Sequence, residues 1–291
     1  EKRNIMTEQE LKTLPIAPAD NAAMEKARQR QAELAKPPGS LGKLEDYSIR
    51  LAGITGKVKN SIEKCRVIVL AADNGVTAEG VSSAPTSVTL SQVINMTRHI
   101  TGMSSLAYYF GNEVVVADLG IDTDPKIPGV LDRKIRRSTG NIAKERAMTR
   151  QQVLDAIAVG LDLAADAAKD GVNAMGVGEM GIGNTTTSSA VLSALTGATP
   201  ESVTGRGGGL TDQAFAVKKQ VITQALALHH PDRADVVDVL SAVGGLDLAA
   251  MTGVFLGCAL QHIPAVVDGF ISIVAALCAC RLNPNVKDYL F

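Results

Sequence analysis

The stretch Arg66-Val67-Ile68-Val69-Leu70-Ala71-Ala72-Asp73-Asn74-Gly75 decides the fold. From Val67 to Ala72 it is apolar without alternation, as a strand covered on both faces must be. It then stops on an acidic residue, an amide and a glycine. Similar short apolar runs occur at residues 114–117, 174–177 and 265–267. Between and around them, residues 92–110, 150–169, 186–195, 212–229 and 246–258 read as helices. Strands alternating with helices predict parallel pairing through right-handed crossovers, hence an α/β protein. Each predicted strand runs at once into small or acidic residues: Asp73-Asn74-Gly75, Asp118-Leu119-Gly120, Gly178-Glu179 and Asp268-Gly269. In an open parallel sheet the ligand sits outside the carboxyl ends of the strands, so these four turns are expected to line one cleft.

Working outward, residues 1–35 are polar and helix-prone, with Leu11, Leu14, Met24, Ala27 and Leu34 forming a loose apolar stripe. Lys36-Pro37-Pro38-Gly39-Ser40 breaks that pattern. Leu41, Leu44, Tyr47, Leu51 and Ile54 then recur at helical spacing. The expected division is an N-terminal arm and part of a small helical domain over residues 1–60, and a large α/β domain over 61–291. Residues 263–280 are apolar but interrupted by Asp268 and Gly269, which predicts a buried strand, a loop and a buried helix rather than a membrane span. The chain opens on Glu1, Lys2 and Arg3 with no signal-like apolar segment, so a cytoplasmic protein is expected.

Composition narrows the function classes. A formal charge of −1, from 29 Lys and Arg against 30 Asp and Glu, lacks the basic surplus of a nucleic-acid binder. Aromatic residues make up 3% and there is no Trp, so stacking platforms for bases are scarce. Cys65, Cys258, Cys278 and Cys280 match neither a zinc pattern nor a disulfide framework and read as reduced thiols. His99, His229, His230 and His262 form no metal-ligand pattern, and neither GxSxG nor HExxH occurs. No metal and no cofactor is expected.

Three glycine-rich segments could carry chemistry. Gly176-Val177-Gly178-Glu179-Met180-Gly181-Ile182-Gly183-Asn184-Thr185-Thr186 leaves a strand and enters a helix expected to begin near Thr185. Its glycines allow close backbone approach, and the N–H groups of a helix start attract an anion. The same spacing also suits an ordinary capped turn. Thr204-Gly205-Arg206-Gly207-Gly208-Gly209-Leu210 precedes a helix bearing Lys218 and Lys219, where Arg206 and Lys218 could each meet a phosphate or remain solvated. In Val243-Gly244-Gly245-Leu246-Asp247 the aspartate either favours a helix dipole or meets a sugar hydroxyl. The candidate acid/base groups are Asp73, Asp118, Glu179 and Asp268.

With these segments quoted, the chain resembles the nicotinate-nucleotide:5,6-dimethylbenzimidazole phosphoribosyltransferase family. The likeness runs from about Asp20 to the end. It includes KPPGSLGKLE at 36–45, AADNGV at 71–76, EGVSSAPTSVT at 79–89, STGNIA at 138–143, GVGEMGIGNTT at 176–186, TGRGGGL at 204–210, VGGLDLAAMTG at 243–253 and PAVVDGFIS at 264–272. The resemblance implies a Rossmann-like parallel sheet with helices on both faces and a small helical bundle from both termini. It also implies a dimer whose cleft the neighbouring subunit completes. The reaction implied is displacement of nicotinate from C1 of nicotinate mononucleotide by an aromatic acceptor, giving an α-ribotide for cobamide synthesis. Gly181, Gly183, Asn184, Thr185 and Thr186 fall on the family's nucleotide-binding stretch, Lys218 near the phosphate, and Glu179 near the ribose. Ser83, Ala84 and Gln92 fall at the acceptor pocket, beside Asp73 and Asn74. Glu179 is taken as the catalytic carboxylate, and Arg206 and Asp247 join the nucleotide-binding set.

Two departures from the family pattern bear on chemistry. Asp73-Asn74-Gly75 stands where the family has Asp-His-Gly. The family's usual base, a glutamate in a GEG-type segment, falls after Phe291, which reads either as a piece of a longer protein or as a subunit without that group. The acceptor is accordingly read as dimethylbenzimidazole, or as phenol or p-cresol in a heterodimer of similar subunits. The alternative is a catalytically silent subunit that stabilises an active paralogue.

Overall fold

The computed structural model describes residues 6–124 and 126–291; the first five residues of the expected arm lie outside the described residues. Its strands are β1 (Cys65–Ala72), β2 (Glu113–Gly120), β3 (Leu131–Asp132), β4 (Ala174–Met180) and β5 (Ala265–Val267). They form one parallel sheet in the order β3-β2-β1-β4-β5. The helices are α1 (Glu8–Lys12), α2 (Asn21–Glu33), α3 (Lys43–Thr55), α4 (Ser87–Thr97), α5 (Gly102–Tyr109), α6 (Arg150–Lys169), α7 (Asn184–Thr196), α8 (Pro200–Val203), α9 (Asp212–His229), α10 (Val236–Val243), α11 (Leu246–Leu260) and α12 (Phe270–Leu282). This is the α/β, Rossmann-like arrangement expected, with helices on both faces of the sheet.

The two-sided burial of the central strand is visible residue by residue. Ile68, Leu70 and Ala72 enter the large core cluster with α6 and α11. Val69 and Ala71 face the other way, onto Val93 of α4. A strand between two helical layers has no solvent side, which is why its sequence does not alternate. The same pleat separates the strand-end carboxylates. Glu179 points with Met175 and Val177 toward α11, whereas Asp118 points with Val114 and Val116 to the opposite layer.

Helix α11 is buried along almost its whole length and apolar on all sides, as a helix enclosed by other elements must be. It lies on α6 at backbone distance. A Cβ on Gly160 would fall 2.1 Å from the Ala250 carbonyl oxygen, and one on Gly253 would fall 2.0 Å from the Ile157 carbonyl oxygen. The thiols of Cys258 on α11 and Cys278 on α12 are buried, and burial pushes both up to about 12.

The expected boundaries need four corrections. The predicted helix over 92–110 is two helices, because His99 turns left-handed (φ 58°) and Thr101 opens α5 with a capping box to Ser104. Strand β4 continues to Met180, so Glu179 is a ladder residue paired with Leu70 rather than a turn residue. Asp118 and Gly120 likewise belong to β2. The reading also omitted β3, α8 and α10. The N-terminal stretch supplies α1 and α2, and α2 packs on α3 through Ala23, Ala27 and Ala52. The far end of the chain meets the same region: Tyr289 donates to the Ala17 carbonyl at 2.9 Å, and the Ala19 N–H donates to Asp288 at 3.1 Å. No helix among the described residues is long and apolar enough to cross a membrane.

The backbone contact between α6 and α11 predicts that Gly160→Ala or Gly253→Ala costs about 2 kcal/mol or more, because no flexible side chain can yield. Gly102→Ala, where a Cβ meets nothing within 4 Å, should leave the thermal midpoint within a degree or so. Melting curves for the three variants check this, and equal midpoints would refute it.

Candidate functional site

The cleft lies where β1, β2 and β4 end. Asp73 follows β1 directly and is 4% exposed; its Oδ2 accepts the Asp122 N–H at 2.8 Å, while Oδ1 has no partner. Burial, and then the charges of Asp122 and Asp118, push its carboxyl above the usual aspartate range. The Asn74 amide is fully buried next to it, with Nδ2 3.4 Å from the Ile182 carbonyl and Oδ1 without a partner. Gly75 is required by close approach: a Cβ there would fall 2.4 Å from the Thr139 carbonyl oxygen.

The loop from β4 to α7 turns at Gly183, which is left-handed (φ 92°) and forms the N-cap. Helix α7 begins at Asn184, one residue ahead of the expected start. No side chain caps it. The Asn184 N–H donates to the Gly181 carbonyl and the Thr186 N–H to the Gly183 carbonyl. Thr186 Oγ1 and Ser188 Oγ are buried without a partner.

Asn184 holds two carboxylates together. Its Nδ2 donates to Glu179 Oε2, and to Asp247 Oδ2 at 3.0 Å. Asp247 stands in the first turn of α11, is fully buried, and also accepts the Leu248 N–H at 2.9 Å. Two missing side chains make its slot. A Cβ on Gly181 would fall 2.7 Å from Oδ2, and one on Gly245 would fall 2.4 Å from Oδ1. Burial, and then the charge of Asp247, push the Glu179 carboxyl to about 7. Burial also pushes Asp247 to about 6, against its hydrogen bonds.

At the other side of α7 lies a cation. Lys218 is fully buried on α9, and its Nζ donates to Thr185 Oγ1 at 2.7 Å and to the Gly205 carbonyl at 3.0 Å. No carboxylate pairs with it among the described residues, and burial lowers it from the usual 10.5 to about 8. Arg206 differs. It is exposed, pairs with Asp212 at 2.5 Å and donates to the Leu210 carbonyl, so its charge is answered by its own loop and the first residue of α9.

Of the four strand-end carboxylates read from sequence, the structure brings together Asp73 and Glu179, with Asp247 as the third member. Asp118 is occupied, pairing with Lys134 at 3.0 Å and capping the Gly120 and Ile121 N–H groups. Asp268 is exposed beside the edge strand. Ser83 is exposed and donates to the Gly208 carbonyl at 3.2 Å, which ties the loop after β1 to the glycine-rich loop; Ala84 follows it, half-buried. Gln92 is half-buried on α4, one turn beyond Thr89. The sequence reading missed Thr89, whose Oγ1 accepts the Ile182 N–H at 3.1 Å and whose hydroxyl opposes the rise of the Asp73 carboxyl. It missed Asp122 as well. Thr89 ends the segment quoted at 79–89, but nothing in the chain signals that its hydroxyl joins α4 to the β4 loop.

A phosphoribosyltransferase family model, DBI_PRT, matches residues 16–291. A relative from Clostridium perfringens, named nicotinate-nucleotide–dimethylbenzimidazole phosphoribosyltransferase, is 49% identical over 272 residues, covering 94% of this chain and 75% of that protein. One of the same name from Geobacter sulfurreducens is 47% identical over 277 residues, covering 95% and 79%. Among solved structures, CobT from Thermus thermophilus superposes with a TM-score of 0.88 at 38% identity, over 93% of this chain and 81% of that one. A buried, unpaired lysine at one end of the cleft and clustered carboxylates at the other thus sit in a fold and sequence with one assignment: the chain belongs to the DBI_PRT family of phosphoribosyltransferases.

Proposed function

We propose that the chain transfers the 5-phosphoribosyl group of nicotinate mononucleotide to dimethylbenzimidazole, giving an α-ribotide for cobamide synthesis in the cytoplasm. The observation that carries this reading is Lys218. A fully buried ammonium without a counter-ion is unfavourable unless an anion arrives, and its two bonds leave a third N–H free for one. Thr185 and the start of α7 stand beside it, where backbone N–H groups and the helix dipole favour a phosphate. Gly181, Gly183, Asn184, Thr185, Thr186 and Lys218 are therefore assigned to the phosphate and ribose, with Asp247 beneath the sugar and Arg206 on the rim.

The opposite polarity supports the same orientation. As the C1–N bond breaks, the positive charge of the pyridinium nitrogen passes to the oxocarbenium-like ribosyl centre, and Asp73, Glu179 and Asp247 supply negative charge on that side of the cleft. In the balanced step the C1–N bond to nicotinate breaks and its electron pair stays on the pyridine nitrogen. The acceptor nitrogen forms the new bond to C1, and the acceptor N–H proton passes to a carboxylate and then to water. Glu179 is the carboxylate assigned to that proton. Asp73, Asn74, Ser83, Ala84 and Gln92 are assigned to the acceptor. The unpartnered Asn74 Oδ1 can meet an acceptor N–H or a phenol O–H, so phenol and p-cresol belong in the assay beside dimethylbenzimidazole. A dimer, with a second copy or a similar subunit, completes this reading; exposed Leu106, Tyr108, Tyr109 and Phe110 on and after α5 support it.

Nicotinate release from nicotinate mononucleotide with dimethylbenzimidazole tests the reaction, and no release with any of the three acceptors would refute it. Asn184→Ala, which strips two carboxylates of their donor, should weaken mononucleotide binding about tenfold or more. Gly183→Val, which places a Cβ 2.8 Å from Thr77 and forbids φ 92°, should do the same; calorimetry decides. Lys218→Met should raise KM for the mononucleotide about a hundredfold while raising the ligand-free thermal midpoint, since the unpaired buried charge is gone. The pH dependence has two signs. Donor binding should weaken above about pH 8 as the ammonium deprotonates. Ligand-free stability should rise between about pH 8 and 10.5, where the unfolded chain binds more protons than the folded one.

A further inference from the structure

Two exposed loops at different ends of the cleft are joined by one hydrogen bond. The first is the glycine-rich loop at 204–210, which lies over Lys218. The Lys218 Nζ donates to the Gly205 carbonyl at 3.0 Å, and a Cβ on Gly207 would fall 2.9 Å from Thr185 Oγ1 and 3.4 Å from Lys218 Nζ. Arg206 holds the base of this loop: it pairs with Asp212, donates to the Leu210 carbonyl and places its guanidinium carbon 4.9 Å from the centre of the Phe215 ring. The middle of the loop lacks such support. Gly207 and Gly209 are left-handed (φ 57° and 97°), and the N–H groups of Gly207 and Gly208 meet no acceptor among the described residues. The second loop, 82–86, runs from buried Val81 into α4 and carries Ser83 and Ala84. Ser83 Oγ donates across 125 positions of the chain to the Gly208 carbonyl at 3.2 Å. Among the described residues no other hydrogen bond joins the two loops. We propose that Ser83 is a positioning residue whose bond to Gly208 couples occupancy of the phosphate end of the cleft to the acceptor pocket, so that each ligand tightens the binding of the other.

A phosphate beside Lys218 offers oxygens to the unpaired N–H groups of Gly207 and Gly208, and such bonds fix Gly208 in place. The Ser83 hydroxyl then meets a fixed carbonyl, and part of the cost of ordering 82–86 is met before the acceptor arrives. Ala84 follows directly, with its N–H bonded to Ser82 Oγ at 3.3 Å, so the restraint passes along this loop to a residue assigned to the acceptor. Position 208 suits the contact, because a Cβ there would fall 3.2 Å from Ser83 Oγ and press on it. In the empty protein the bond is exposed to water and holds the loops weakly, which lets them part to admit substrate. A single hydrogen bond bounds the coupling at about three- to tenfold in affinity. Coupling between two binding sites is reciprocal, so the acceptor raises phosphate affinity by the same factor. The coupling rests on the assignment of the phosphate to Lys218 and of the acceptor to the loop bearing Ser83 and Ala84.

Calorimetric titration of dimethylbenzimidazole into the protein, with and without saturating inorganic phosphate, reads the coupling without turnover. The wild type should bind the acceptor about three- to tenfold more tightly in phosphate. Ser83→Ala should bind it equally in the two conditions, and Ser83→Thr, which keeps the hydroxyl, should retain the difference. A mere loss of packing would weaken acceptor binding in both conditions and leave their ratio unchanged. A ratio of one in the wild type, or the same ratio in wild type and Ser83→Ala, would overturn the coupling while phosphate binding that is lost in Lys218→Met still upholds the donor assignment. No phosphate binding by the wild type would overturn the donor assignment and the coupling with it. Hydrogen exchange gives a second reading that does not depend on acceptor affinity. Phosphate should slow exchange of the 82–84 amides in the wild type and not in Ser83→Ala, while slowing those of 205–209 in both; unchanged exchange at 82–84 in the wild type would also overturn the proposal.

Discussion

The structure depends on the contact of α11 with α6, where two helices meet at backbone distance through Gly160, Gly253 and Gly257. Closeness there fixes the depth at which α11 lies on the sheet. Because α11 begins immediately before Asp247, that depth also sets where a carboxylate enters the end of β4. One packing constraint in the core thus determines the position of a charged group in the cleft. The Gly181 and Gly245 faces complete the arrangement by leaving room for the carboxylate oxygens that a Cβ would occupy.

The cleft is polarised along α7. Lys218 and the helix start present positive charge on one side, and Asp247, Glu179 and Asp73 present negative charge on the other, with Asn184 and Thr185 as adjacent residues that touch each end. All of these groups are buried or half-buried, so water screens them poorly and each departs from its usual proton affinity. Such an arrangement is unfavourable in the empty protein and favourable around a molecule with a phosphate at one end and a cationic ring-bearing carbon at the other. Mononucleotide donors of a pyridine base have that distribution.

Much of the fold was legible because its signals are local. The unbroken apolar run of β1 follows from burial on both faces, and the bounds of α6 and α9 coincide with the periodic segments at 150–169 and 212–229. Short elements were not legible. Strand β3 has two residues, and its pairing with Ala117 and Asp118 is made by a partner strand, not by its own composition. The break between α4 and α5 was missed because its signal is a single left-handed histidine followed by Thr101. The glycine-rich loop was legible as a place for an anion, but Arg206 and Lys218 read alike in the chain. Their difference, one paired with Asp212 and exposed, the other buried and without a carboxylate partner among the described residues, comes from packing.

What the chain by itself determined is the alternation of buried strands and helices, the glycines at their junctions and the family to which these segments point, because periodicity, turn chemistry and motif order are properties of neighbouring residues. What only the tertiary structure decided is which of the acidic residues act together. Asp118 and Glu179 both end parallel strands, yet the pleat sends one toward Lys134 and the other toward Asp247, a residue 68 positions later in the chain than Glu179. Proton affinity depends on such through-space neighbours and on exclusion of water, neither of which is encoded at the residue that carries the proton.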